Sequence, residues 1–183
     1  MVKMELVNVV ATGNLNRELD LEVLYQDLDL EYVEYSPNIF PGIKIQMSSE
    51  GATILLFNSG KFTVTGASSQ DEVRETADRL RDSLGELGVL DTNDKLQTKI
   101  VNLVYSGEFD LDISLELLLT ALGFNNTEYE PEISPFVVYR PKDIDCVITI
   151  SGSGKVVITG TTKERVAKSG LDEIERRVEK LGW

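Results

Sequence analysis

The chain states one pattern twice, and that duplication limits its fold more than any other feature. Val7-Asn8-Val9-Val10 returns as Val101-Asn102-Leu103-Val104, and Tyr35-Ser36-Pro37 as Tyr129-Glu130-Pro131. At the same offset, Ser59-Gly60-Lys61 through Thr65-Gly66 returns as Ser153-Gly154-Lys155 through Thr159-Gly160, and Leu87-Gly88 as Leu181-Gly182. No insertion or deletion breaks the register. A solenoid needs at least three short repeats, so two long copies read instead as a duplicated half-domain with a pseudo-two-fold axis. The expected layout is a first repeat over 1–90, a linker over 91–96 and a second repeat over 97–183. Such a molecule presents paired copies of each surface and suits a partner that is itself nearly two-fold symmetric, as duplex DNA is.

Composition narrows the class. With 183 residues, 42% of them hydrophobic, the chain can build a real core. No apolar run approaches the ~20 residues of a membrane span, and Met1-Val2-Lys3-Met4-Glu5 lacks the plan of a signal peptide. A cytoplasmic protein without membrane contact is expected. The absence of histidine and the single cysteine, Cys146, leave no internal disulfide and no Cys/His metal site. Cys146 is expected to be a small buried residue of a strand, and no cofactor is expected. A net charge of −13 argues on its face against nucleic acid, because phosphate affinity comes from clustered Lys and Arg. The acids concentrate in loops and helices, however, as in Asp27-Leu28-Asp29-Leu30-Glu31 and Asp71-Glu72. An acidic exterior also fits a salt-rich cytoplasm.

Each repeat reads strand, helix, four strands, helix. In the first, Glu5 to Gly13 alternates as a strand, and Asp20 caps a short helix carrying Leu21, Val23, Leu24 and Leu28. Strands follow over 31–35, 43–47, 53–57 and 62–65, the last two joined by the turn Asn58-Ser59-Gly60-Lys61. The copy of the short helix starts at Ser114 and carries Leu115, Leu117, Leu118, Leu119 and Leu122. Ser69-x-x-Glu72 and Thr161-x-x-Glu164 predict capping boxes for the closing helices. Their apolar stripes are Val73, Ala77, Leu80, Leu84, Leu87 and Val166, Leu171, Ile174, Val178, Leu181. The linker is too short for free movement, so the two sheets are expected to join into one.

Strand alternation leaves one face of each sheet without a cover. In the first repeat Ile54, Leu56, Phe62 and Val64 suit the helix-covered core, while Thr53, Leu55, Phe57, Thr63 and Thr65 take the opposite face. In the second, Ile148, Ile150, Val156 and Ile158 face the core, and Val147, Thr149, Ser151, Val157 and Thr159 face away. Neither outward set carries a charge, although a water-facing antiparallel surface normally takes Lys, Glu and Arg. An uncovered apolar patch of this extent marks a binding site; the competing reading is cover by a third layer or by a homodimer of the free protein.

Val-Asn-Val-Val, Tyr-x-Pro-x-x-Phe-Pro-Gly, Ser-Gly-Lys-x-x-x-Thr-Gly-Ala and their second copies resemble the TATA-binding protein family in its archaeal form, across both halves and in order. The resemblance implies an α+β saddle: one continuous curved antiparallel sheet of about ten strands with helices on the convex face. It implies minor-groove binding and kinking of double-stranded DNA at an A/T-rich promoter element. Asn8 and Asn102 would direct amide N–H groups at base acceptors on the groove floor, where the guanine amino group would obstruct them. Val10, Thr53, Leu55, Thr63, Thr65, Val104, Val147, Thr149, Val157 and Thr159 would form the apolar floor. Lys61, Lys155 and Arg140 would meet phosphates; Gln46 stands where a counterpart of Arg140 would be, and Asn38 and Ile39 replace a basic pair.

Two phenylalanines per half pry open a base step in this family. The first half keeps both, Phe40 and Phe57, whereas the second has Ser134 and Ser151. A full kink is therefore expected at the first half only, unless Phe136 substitutes through a remodelled loop. Glu130 and Glu132 match the acidic turn that meets transcription factor B, which would bring RNA polymerase indirectly. The function implied is general transcription initiation; the alternative is a divergent paralogue with weakened DNA binding that acts mainly through protein contacts. An enzyme is not expected: the chain offers no phosphate-cradling loop before a helix and no carboxylate pair on the apolar face.

Overall fold

Both repeats fold in the expected order of elements. The computed structural model describes residues 2–49 and 51–182. The first repeat runs β1 (Glu5–Asn14), α1 (Leu21–Asp27), β2 (Tyr32–Tyr35), β3 (Gly42–Gln46), β4 (Thr53–Phe57), β5 (Lys61–Ala67) and α2 (Gln70–Glu86). The second runs β6 (Thr98–Glu108), α3 (Leu115–Leu122), a 3-10 turn (Phe124–Asn126), β7 (Thr127–Glu128), β8 (Phe136–Tyr139), β9 (Val147–Ser151), β10 (Lys155–Thr161) and α4 (Glu164–Lys180). Strand order is β2-β3-β4-β5-β1 in the first repeat and β7-β8-β9-β10-β6 in the second, so the two repeats share one order. Contacts divide the chain into Asn8–Val101, the first-repeat unit, and Met1–Val7 with Asn102–Trp183, the second-repeat unit.

In the first-repeat unit the inward residues of the strands, Val9, Ala11, Ile43, Ile45, Ile54, Leu56, Phe62 and Val64, are buried together with Val73, Ala77, Leu80 and Leu84 of α2. In the second-repeat unit Leu103, Tyr105, Val137, Tyr139, Ile148, Ile150, Val156 and Ile158 are buried with Ala167, Leu171, Ile174 and Val178 of α4. Gly170 lets α4 come close: a Cβ there would lie 2.9 Å from Cys146 Sγ and 3.4 Å from Ile148 Cδ1. Cys146 is buried as expected, but it precedes β9 instead of lying in a strand. Burial, with Asp145 adding to it, pushes its thiol up to about 11, which leaves it protonated and unreactive at neutral pH.

The caps correct part of the sequence reading. Asp20 accepts from the backbone N–H groups of Glu22 and Val23, and Ser69 accepts from that of Glu72 at 3.1 Å. The Glu72 carboxylate turns to Ser68, taking its backbone N–H at 2.7 Å and its hydroxyl at 2.7 Å, so the box at α2 is one-armed. Those two bonds, the backbone one foremost, hold Glu72 below the ordinary carboxylate range. No box forms at α4. Thr161 is the last residue of β10, and the cap position falls on Lys163, which makes no capping bond. On α1 and α3, Leu21, Leu24, Leu115, Leu118 and Leu122 are buried, but Val23 and Leu117 are 53% and 54% exposed. They follow the apolar pattern yet stand on the outer side of helices only two turns long.

Candidate nucleic-acid interface

In each unit three central strands send alternate residues to the face opposite the buried core, a face that no helix covers among the described residues. In the first-repeat unit Asn8, Val10, Thr53, Leu55, Phe57, Thr63 and Thr65 all lie half-buried there, each between two buried core positions or next to one. In the second, Asn102, Val104, Val147, Thr149, Ser151, Val157 and Thr159 do the same. The floor residues expected from the sequence thus come together within each unit.

The two asparagines are held in one way. Asn8 Oδ1 accepts the backbone N–H of Gly66 at 2.8 Å, and Asn102 Oδ1 accepts that of Gly160 at 2.9 Å. Both glycines have positive φ, 82° and 77°, a conformation that costs other residues dearly. Each lies where the ladder shifts register, between Val9 and Ala11 against β5 and between Ile158 and Thr161 against β6. The bulge turns the glycine N–H toward the neighbouring strand's asparagine. With Oδ1 committed to the backbone, the amide NH2 is the end left to act as donor. The copies then differ: Asn102 Nδ2 also donates to Thr159 Oγ1 at 2.9 Å, whereas no such bond ties Asn8 among the described residues.

Charge enters the face at its edges. Lys44, which strand alternation would have revealed but the sequence reading missed, is exposed between buried Ile43 and Ile45 and pairs with Glu34 at 3.3 Å. In the second-repeat unit Arg140 pairs with Glu128 at 3.3 Å. Exposed pairs of this kind contribute ~0–1 kcal/mol, so either cation can leave its carboxylate for a phosphate. The turn lysines sit in unlike surroundings. Lys61 stands opposite Asn14, in an open cleft of about 930 Å³ that Lys99 also lines. Lys155 stands opposite Glu108, which lines a cleft of about 550 Å³ with Asp110 and Asp112.

At the far edge of the first-repeat unit, Phe40 and Phe57 are in contact, their ring centroids 5.6 Å apart and the planes 58° to each other. The second-repeat unit has Ser134, whose hydroxyl is buried with no partner among the described residues, and Ser151, whose hydroxyl is 2.9 Å from that of Ser153. Phe136 needs no remodelled loop to reach this place, because it opens β8 directly opposite Ser151. Glu130 and Glu132 are exposed in the turn between β7 and β8, beside exposed Ile133.

A family model described as Transcription factor TFIID (or TATA-binding protein, TBP) matches residues 3–87 and 97–181, one stretch in each repeat. TATA-box-binding protein C of Halobacterium salinarum is 35% identical over 177 residues, 97% of this chain and 98% of that protein. TATA-box-binding protein 2 of Haloferax volcanii is 37% identical over 178 residues, 97% of this chain and 94% of that protein. Among solved structures, that of Methanococcus jannaschii TBP matches with a TM-score of 0.80 at 35% identity, over 97% of this chain and 99% of that one. The chain belongs to the TATA-binding protein family of transcription factors. Its duplicated antiparallel sheet with four helices is the fold of that family.

Proposed function

We propose that this protein binds and bends A/T-rich promoter DNA in the minor groove, and that transcription factor B then docks on the turn carrying Glu130 and Glu132 and brings RNA polymerase. The observation that carries the reading is the pair of asparagines, fixed by bulge glycines on otherwise apolar, uncovered faces. An NH2 donor held in place can meet adenine N3 and thymine O2, and the exocyclic amine of guanine would collide with it. Around each asparagine, Val, Leu and Thr side chains press on sugars and base edges, with a gain on the order of 25 cal/mol per Å² buried. Salt does not screen that term. Lys61, Lys155, Arg140 and Lys44 supply the phosphate contacts at the edges. The repeats act as matched modules over 1–90 and 97–183, each taking half of the site, in a cytoplasmic protein.

One observation favours a second reading, a paralogue with weakened DNA binding that works through proteins: Lys155 faces Glu108 beside Asp110 and Asp112, where phosphate would be repelled. Titration against a labelled TATA-like duplex and a G·C-rich control, with and without transcription factor B and from low to molar KCl, separates the two. Selective binding with a shallow salt slope is expected, because few cations release few counterions. Failure to discriminate even with the factor present would establish the second reading, and sedimentation of the free protein would show whether two copies then bury their uncovered faces together.

A further inference from the structure

We propose that Phe136 is the wedge of the second-repeat unit, a single ring that enters a base step where the first-repeat unit uses two. The proposal rests on the DNA-binding reading above. In the first-repeat unit Gly42 is the Cα partner of Phe57. A Cβ on Gly42 would lie 2.8 Å from the Leu56 carbonyl oxygen, 2.9 Å from Phe40 Cε1 and 3.2 Å from Phe57 Cδ1. The neighbouring carbonyl and the two rings together leave room only for a bare backbone at 42. At the repeat offset all three positions change together, to Ser134, Phe136 and Ser151. Phe136 is the Cα partner of Ser151, and directly paired residues of an antiparallel ladder share a face. The aromatic ring has crossed from one strand to its partner, and the positions that would crowd it have become small.

The surroundings of Phe136 agree with that role. Val137 and Tyr139 of the same strand are buried, so Phe136 alternates onto the uncovered face, where it is 37% exposed. Ser134 Oγ is buried and Ser151 Oγ is engaged with Ser153, so neither serine can press an apolar surface on bases. Prying a step apart takes an apolar side chain at the groove, and Phe136 provides it.

The test places 2-aminopurine in turn at each end step of a TATA-like duplex, at the KCl concentration where the wild type binds most tightly. Wild-type protein is expected to brighten both steps. Phe57→Ala should abolish one signal, and Phe136→Ala the signal that Phe57→Ala leaves, with affinity falling about tenfold as for loss of one aromatic–base contact. Phe136→Leu, still an apolar wedge, should keep most of it. Brightening of only one step by the wild type, or Phe136→Ala retaining both, would overturn the wedge while leaving promoter binding in place. No binding of the duplex by the wild type would overturn both. A one-step signal from the wild type overturns the wedge without any variant, and melting curves show that the variants are folded.

Discussion

At the scale of single residues, the asparagines show what a repeated motif reveals and what it hides. Asn8 and Asn102 stood out because the same residue recurs in the same context at the same offset, which a lone polar residue in a strand never does. Their anchoring by Gly66 and Gly160 was not legible, since a glycine letter does not disclose its φ or which N–H it turns toward a neighbouring strand. Gly66 offers the clean test. A Cβ there has no atom nearer than 3.9 Å, so Gly66→Ala adds backbone strain without a clash. It should cost about 1–2 kcal/mol for a positive-φ alanine, read as a lower melting temperature, and should blunt A/T discrimination by loosening Asn8. Unchanged melting would show that the bulge is not held as described. Phe136 was legible as an apolar residue in the wrong place. Its partnership with Ser151 needed the register, which alternation alone does not fix.

Among the elements, the strands and closing helices were legible because their periods are unambiguous over many residues: alternation in β4, β5, β9 and β10, and a helical stripe in α2 and α4. Errors gathered where an element is short or where local chemistry competes. Helices of two turns gave Val23 and Leu117 no way to declare their side, and Thr161 looked like a cap although the ladder had already claimed it. The repeat itself flags the second error. At the offset that takes Asn8 to Asn102, Ser69 corresponds to Lys163. That lysine sits at the start of α4 without a capping bond, with its positive charge at the positive end of the helix dipole. Lys163→Ser should therefore stabilise the protein by about 1 kcal/mol, or roughly 2–4 °C in melting temperature for a chain of this size. A thermal scan showing no gain would mean that the α4 N-terminus is satisfied by other groups.

For the whole molecule, 31 acidic against 18 basic residues give a net charge of −13, and self-repulsion of that size opposes folding. Molar KCl shortens the range of this repulsion to about 3 Å, so the melting temperature should climb steeply between low and molar KCl. A flat response would place the acids in favourable local pairs, as several on α2 and α4 already are. The duplicated plan was visible from the letters, and so was the loss of both wedge phenylalanines from the second copy, but the pairing of Phe136 with Ser151 was not, because only the ladder register connects those positions. Phe40, Gly42 and Phe57 fit one another, and the exchange that clashes is the one at 42, where a side chain meets the Leu56 carbonyl oxygen and both rings. Gene conversion that copies the codon of Phe136 onto that of Gly42 must therefore carry the codons for 40 and 57 with it or leave a ring clash behind. Packing thus couples one codon of this edge to two others, and the order in which they change is no longer free.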